Sequence, residues 1–237
     1  MNFFRRMSLM VLGGFGAIFA ADSAAQARFD ELEKLLLEAD SLQLVTHIKS
    51  GGQVPSRFEG TLLLQKGDRA RLDQNGAFMG QPARAHLVSD GSRMKVESAQ
   101  KQSQADNPKA LNEGLIIGFT RMGLLHNIAV ISSGALPEGT DGTTRDWIQV
   151  SQFTALSEEV LNGVESEKFG FNITVSGQPA GEATLWLRKD NGLPLQREQT
   201  VYFEGGSMTV VESYPLFERN PKLAAARFSL EETAEPR

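Results

Sequence analysis

Three histidines, His47, His86 and His126, are the first residues to ask for proton transfer or metal binding, and their spacing suits neither. No H-x-x-x-H or H-E-x-x-H pair sets two imidazoles on one helical face. The chain has no G-x-S-x-G turn to raise a serine nucleophile, no phosphate-cradling glycine loop and no calcium loop. Glu158-Glu159 and Glu231-Glu232 are adjacent pairs whose side chains diverge, so neither makes a shared acid–base site. With no cysteine, thiolate nucleophiles, disulfides, zinc–thiolate sites and iron–sulfur clusters are all excluded. Asn172-Ile173-Thr174 matches a glycosylation sequon but falls inside a strand pattern and reads as chance. The expectation is a non-enzyme: no catalytic residue, no metal and no cofactor.

Charge narrows the partners. The 237 residues carry 24 Lys+Arg and 29 Asp+Glu, a formal net charge of -5. A nucleic-acid binder usually shows a basic surplus, so nucleic acid is not an expected partner. At 41% hydrophobic and 22% charged, the composition is that of a globular protein rather than a disordered one.

The N-terminus reads as an address. Arg5 and Arg6 precede an apolar run from Met7 to Ala20, then small residues offer Ala25-Gln26-Ala27 as an A-x-A cleavage site. Basic, apolar and small segments in that order define a secretory signal peptide, residues 1–27, with cleavage after Ala27. Its apolar run is short of the ~20 residues that a membrane-spanning helix needs. Removal takes away two bases and one acid (Asp22), so residues 28–237 have a net charge of -6 and are read as one domain.

These residues need elements to hold them. Phe29, Leu32, Leu36 and Ala39 share one helical face, predicting a helix over Arg28 to Ala39 with acidic residues in its first turn. Period-two alternation then predicts strands over Leu42–Lys49, Phe58–Lys66, Arg69–Gln74, Ala83–Ser89 and Arg93–Glu97. Gly51-Gly52, Gly67-Asp68, Asn75-Gly76 and Asp90-Gly91 supply the turns between them. Gln100 to Asn107 reads as a loop, and Leu111, Leu115, Phe119 and Met122 as a helical face continuing to Leu125. Ile128–Ser132 and Asp146–Phe153 read as strands, and Ala155–Leu161 as a short helix. Clearer strands follow over Phe169–Val175, Ala183–Leu187, Leu195–Phe203 and Met208–Tyr214, then a short helical stretch from Asn220-Pro221 and a last strand at Phe228–Leu230. Such a meander must lay its apolar face against the two amphipathic helices. A filled core and a lipid-sized cavity would be lined by the same residue types, and composition leaves both open.

Gly60-Thr-Leu-Leu-Leu-Gln-Lys-Gly67 and Leu87-Val-Ser-Asp-Gly91 resemble the LolA family of periplasmic lipoprotein carriers, whose pattern is G-x-L-x-V-x-R-P followed by a strand ending L-V-S-D-G. The order of segments fits too, as does Pro221-Lys-Leu-Ala-Ala-Ala-Arg-Phe228 as a closing run. The resemblance implies a mainly β fold with helices (α+β): a single open, unclosed antiparallel β-barrel of about eleven strands. An N-terminal helix and a central helical lid would cover it. It also implies a periplasmic carrier of acyl chains of lipoproteins or lipids, with an inner-membrane release complex and an outer-membrane acceptor among its partners, acting as a monomer. The related fold of RseB-type sensors gives the alternative, an interaction module; an envelope hydrolase ranks last.

Where the family has a lid-controlling arginine, this chain has Lys66, followed by Gly67 instead of proline. Lysine lacks arginine's planar fork. If Lys66 points inward, the same parity sends Phe58, Leu62 and Leu64 inward, and with them Leu72, Met94, Val96, Phe171, Ile173, Leu185 and Leu187 as cavity residues. Leu32, Leu36, Leu115, Phe119 and Met122 are the expected lid residues.

Overall fold

A computed structural model describes residues 15–98, 102–133, 143–155 and 158–231. Helix α1 spans Phe15–Leu37, and strands β1 (Ser41–Gly52), β2 (Ser56–Gln65), β3 (Arg69–Phe78), β4 (Gln81–Asp90), β5 (Arg93–Ser98) and β6 (Gln102–Asp106) follow. Three helices come next, α2 (Leu111–Met122), α3 (Leu124–Ser133) and α4 (Thr144–Trp147). The remainder is β7 (Ile148–Ala155), β8 (Glu159–Leu161), β9 (Val164–Val175), β10 (Gln178–Arg188), β11 (Pro194–Phe203), β12 (Gly206–Arg219) and a 3₁₀ turn at Ala225–Phe228.

The twelve strands form one antiparallel sheet in the order β6-β5-β4-β3-β2-β1-β12-β11-β10-β9-β7, with β8 also paired to β9. Hairpins build each half, except that β7 pairs with β9 across the intervening β8, and β1 pairing with β12 joins the halves. β6 and β7 end the order unpaired with one another, so the barrel is open. The sheet coils about α1 and α2, whose apolar faces meet its inward side chains in one core. Phe29 of α1 packs on Phe171, Phe153 and Phe169, with ring centroids 5.0, 5.4 and 6.3 Å apart. Phe119 of α2 packs on Tyr214 and Phe217 at 5.3 and 5.9 Å.

Several local expectations are corrected. In the full chain α1 begins by Phe15 and runs unbroken through Ala25-Gln26-Ala27, so Asp30 and Glu31 lie mid-helix as long as the chain is uncleaved. Asn75-Gly76 lies inside β3 rather than at a turn; a Cβ on Gly76 would come 1.8 Å from the Arg57 carbonyl oxygen, so the glycine serves close strand approach. The expected loop at residues 100–107 contains β6, a wholly exposed polar edge strand of the kind that resists edge-to-edge association. Ile128–Ser132 is helical, within α3, because Leu124 and Ile128 bury one helical face and a short apolar run does not distinguish the two periods.

Residues 144–147 form α4 before β7 starts, entered through a capping box between Thr143 and Asp146. The expected helix at Ala155–Leu161 is instead the end of β7 and β8, residues 156–157 lying outside the described set. Phe228–Leu230 forms no strand: the 3₁₀ turn lies against β3 and β4 with Phe228 buried, and Arg71 Nη1 donates to the Arg227 carbonyl at 3.4 Å.

Candidate functional site

Inward side chains change size along the sheet. Matching registers place Leu44, Leu62, Leu72, Leu87 and Val96 in one row across β1 to β5. The next inward row is Thr46, Gly60, Gln74, Ala85 and Ser98, and the one beyond holds Ile48, Phe58, Gly76 and Ala83. Large leucines therefore fill the space beneath α1 and α2, while glycine, alanine and serine leave it unfilled towards the hairpin ends. There the sheet and α3 enclose a cavity of about 560 Å³. Its walls are apolar for the most part: Phe58, Phe78, Val201, Met208 and Val210 from the sheet, with Met122, Leu125 and Ile128 from the helices. Val54, Phe78, Gln81 and Pro82 bring it out to the β1–β2 and β3–β4 turns.

Polar residues stand in this wall too, Ser56, Arg84 and Ser98 among them, and His126 and Gln199 bear most on what it could hold. His126 is half-buried beside Trp147, 5.8 Å between ring centroids. Burial, reinforced by the Arg197 charge, holds its imidazole down at about 4, so it is neutral at pH 7. Gln199 is 3% exposed. Its Oε1 accepts from Arg197 Nε at 2.8 Å, and since arginine only donates, the amide orientation is settled. Nε2 of Gln199 then has no acceptor among the described residues.

The helices over the cavity are held by the sheet at their shared break. Arg197 on β11, 1% exposed, donates from Nη1 to the Thr120 carbonyl at 3.0 Å and from Nη2 to the Arg121 carbonyl at 2.6 Å, closing the C-terminus of α2. Its register partner Glu212 on β12 accepts the first N–H groups of α3, Leu124 and Leu125, each at 2.8 Å, and the Tyr214 hydroxyl at 2.7 Å. Between the helices Gly123 has φ +84, and a Cβ there would sit 2.8 Å from Glu212 Oε1. Only glycine fits both the turn and the carboxylate. Burial lowers the Arg197 guanidinium from its ordinary range, against the pull of Tyr214 and Glu212, and raises the Tyr214 phenol.

A second lock ties α1 to α2. Glu33 accepts from Arg121 Nε at 2.8 Å and Nη2 at 3.0 Å, from Thr120 Oγ1 at 3.1 Å and from Arg145 Nη1 at 3.3 Å. Arg121 Nη1 also reaches the Ile148 carbonyl at 2.5 Å. This fork-to-fork pair is buried on both sides.

Of the residues the alternation singles out, Phe58 and Met122 line the cavity. Leu62, Leu64, Leu72, Phe171, Ile173, Leu185, Leu187, Leu32, Leu36, Leu115 and Phe119 are buried in the core beneath the helices, and Met94 and Val96 are packed against it. Lys66 lies past the end of β2, its side chain 63% exposed and paired with Asp40 at 2.5 Å. It lines a surface cleft with Leu36 of α1 and Asn112 of α2; Arg197, Glu212 and Glu33 make the buried charged contacts to the helices. No sequence motif marks them, since each is a charged residue inside an otherwise apolar strand or helix face. That misplaced charge is the signal that was there to be read.

The histidines stay apart. His47 is exposed on β1, and His86 pairs with Asp73 at 2.5 Å on the outer face, where Arg71 also reaches Asp73 at 2.6 Å. Among the described residues no group of three His, Asp or Glu could hold a metal ion, and no helix is long and apolar enough to cross a membrane.

An open, helix-lidded antiparallel half-barrel is thus the class of structure. No family model matches the chain, and no curated protein does. Among solved structures it is similar to the lipoprotein LppX of Mycobacterium tuberculosis, at 13% identity over 86% of this chain and 99% of that one, TM-score 0.47. It is also similar to MucB in its complex with MucA from Pseudomonas aeruginosa, at 13% identity over 88% of this chain and 61% of that one, TM-score 0.41. A LolA superfamily protein from Nitrosomonas europaea matches at 12% identity over 86% of this chain and 97% of that one, TM-score 0.35.

Proposed function

We propose that residues 28–237 form an exported, periplasmic, monomeric and non-enzymatic domain that binds an acyl chain of a lipid or lipoprotein. One observation carries the reading: the apolar cavity of about 560 Å³ between α3 and the concave face. Small-molecule sites run roughly 300–1,000 Å³, so this volume suits a single acyl chain. Each buried CH₂ contributes about 0.8 kcal/mol, enough for useful affinity with no covalent step. Gln199 Nε2 supplies a polar guide, a donor suited to the carbonyl of an ester or amide. Arg197 at the end of α2 and Glu212 at the start of α3 make these helices a lid whose opening would break four charge-assisted hydrogen bonds to the sheet. Room for one chain rather than several also favours a second reading, an RseB-like module that senses a single acyl chain and answers to a protein partner.

Native mass spectrometry of the protein purified from its own cells, with uptake of a fluorescent fatty acid, tests the proposal. One bound lipid per chain is expected. A bare protein that takes up no probe would sink it. Crosslinking then separates the two readings: a sensor yields one specific envelope protein, a carrier yields donor and acceptor complexes.

A further inference from the structure

The exposed large apolar side chains of the described residues gather at one end of the sheet. Phe78 and Met79 are 48% and 53% exposed at the β3–β4 turn; Tyr202 and Phe203 are 43% and 36% exposed at the β11–β12 turn; only Val160 lies elsewhere. The strand order β3-β2-β1-β12-β11 sets these turns on either side of the β1–β2 turn. The cavity reaches the same end, with Val54 and Phe78 in its wall and Val201 and Met208 one register step from Tyr202.

This rim is built rather than frayed. Met79 N–H donates to the Pro55 carbonyl at 2.8 Å, tying the β3–β4 tip to the β1–β2 tip. Gln53 Nε2 donates to the Gly205 carbonyl at 3.1 Å, tying the β1–β2 tip to the β11–β12 tip. Met79 is held at φ +52, in the left-handed region that a side-chain-bearing residue seldom enters. Residues 52–56, 78–81 and 203–206 contain one charge, Glu204. Tyrosine, phenylalanine and methionine on rigid, nearly uncharged tips are what a bilayer interface accepts and bulk water does not.

We propose that the three hairpin tips form a membrane-docking rim, inserting Phe78, Met79, Tyr202 and Phe203 into the interfacial layer so that an acyl chain passes between bilayer and cavity without crossing water. The inference rests on the acyl-chain reading of the cavity. It adds where the chain comes from. The tips carry no basic residue of their own, and exposed Arg57 and Arg84 lie just behind them, so docking depends chiefly on apolar insertion and zwitterionic vesicles suffice.

The test uses protein purified from its own cells and phosphatidylcholine vesicles. Met79→Trp should show a blue-shifted emission with vesicles, quenched by bromines on the lipid chains; Trp147 and Trp186 are buried in the fold and serve as the unquenched background. The triple variant Met79→Ser, Tyr202→Ser, Phe203→Ser removes exposed side chains only and should lower vesicle flotation about ten-fold. Emission from the Met79→Trp variant that the brominated lipid leaves unquenched, or a triple variant that floats as well as the parent, overturns the proposal. So does a vesicle-free dimer that the same substitutions dissolve, which would give the rim to a second copy. A soluble fluorescent fatty acid reads the cavity separately: quenching at the rim without probe uptake removes the acyl passenger and leaves docking, whereas probe uptake without quenching does the reverse.

Discussion

Glu212 accepts two backbone N–H groups and a phenol while 1% exposed, so removing it strands three donors inside the protein. Glu212→Ala is expected to cost about 3 kcal/mol in urea denaturation, the size of a broken buried charge network, with faster hydrogen exchange confined to α2 and α3. A loss within about 0.5 kcal/mol, the scale of an ordinary surface change, would show that the carboxylate does not cap α3. Two groups carry the largest downward shifts on the acid side of stability. Burial alone would raise Asp73, but its bonds to His86 and Arg71 outweigh that and hold it at about 2, against 3.8 ordinarily. Its contribution is therefore complete above about pH 4 and lost as pH falls through 2. His126 is held down at about 4, against 6.5 ordinarily. The unfolded chain takes the proton first, so stability falls from pH 6.5 to 4 and is level below. At 1.36 kcal/mol per unit, that slope amounts to about 3 kcal/mol. His126→Leu should flatten the urea midpoint between pH 6.5 and 4, while Asp73→Asn should leave that window unchanged. The alternation of apolar residues placed Phe58, Leu62 and Leu72 on one face from sequence alone. What it did not show is that Ser98, Ala85, Gln74 and Gly60 stand in one row, because cross-strand register is not written in any single strand.

Elements with sustained periodicity were legible: the face of α1, the alternation of β9 and β10, the start of α2. Short segments were not. Ile128–Ser132 satisfies a strand pattern locally, and the cap on Leu124 and Leu125 that favours helix comes from Glu212, 88 and 87 residues away in sequence. Asn75-Gly76 has turn chemistry, but its neighbour across the sheet, Arg57, decides its role. The lid is the element on which the function turns. Gly123→Ala would push a Cβ to 2.8 Å from Glu212 Oε1 and force a left-handed φ on a side-chain-bearing residue. The expected cost is about 1–3 kcal/mol, with the α2–α3 break loosened and acyl exchange accelerated. Equal exchange rates in the two proteins, measured by displacement of a fluorescent fatty acid, would separate the helix break from lid motion.

At the scale of the molecule, an open sheet of twelve strands wraps helices that fill it at one end and leave about 560 Å³ at the other. Hairpin tips rim the unfilled end, so one architecture explains both the cavity and the exposed aromatics beside it. Val201→Trp places a large ring in the cavity wall near its mouth and should abolish acyl uptake while leaving the urea midpoint close to that of the parent; undiminished uptake would move the binding site elsewhere. The proposed occupant of this volume is one acyl chain. Native mass spectrometry of protein taken from its own cells measures it most directly. A single added lipid mass per chain is expected, lost in Val201→Trp; a bare chain, or several lipids retained equally by that variant, would contradict acyl binding in this cavity.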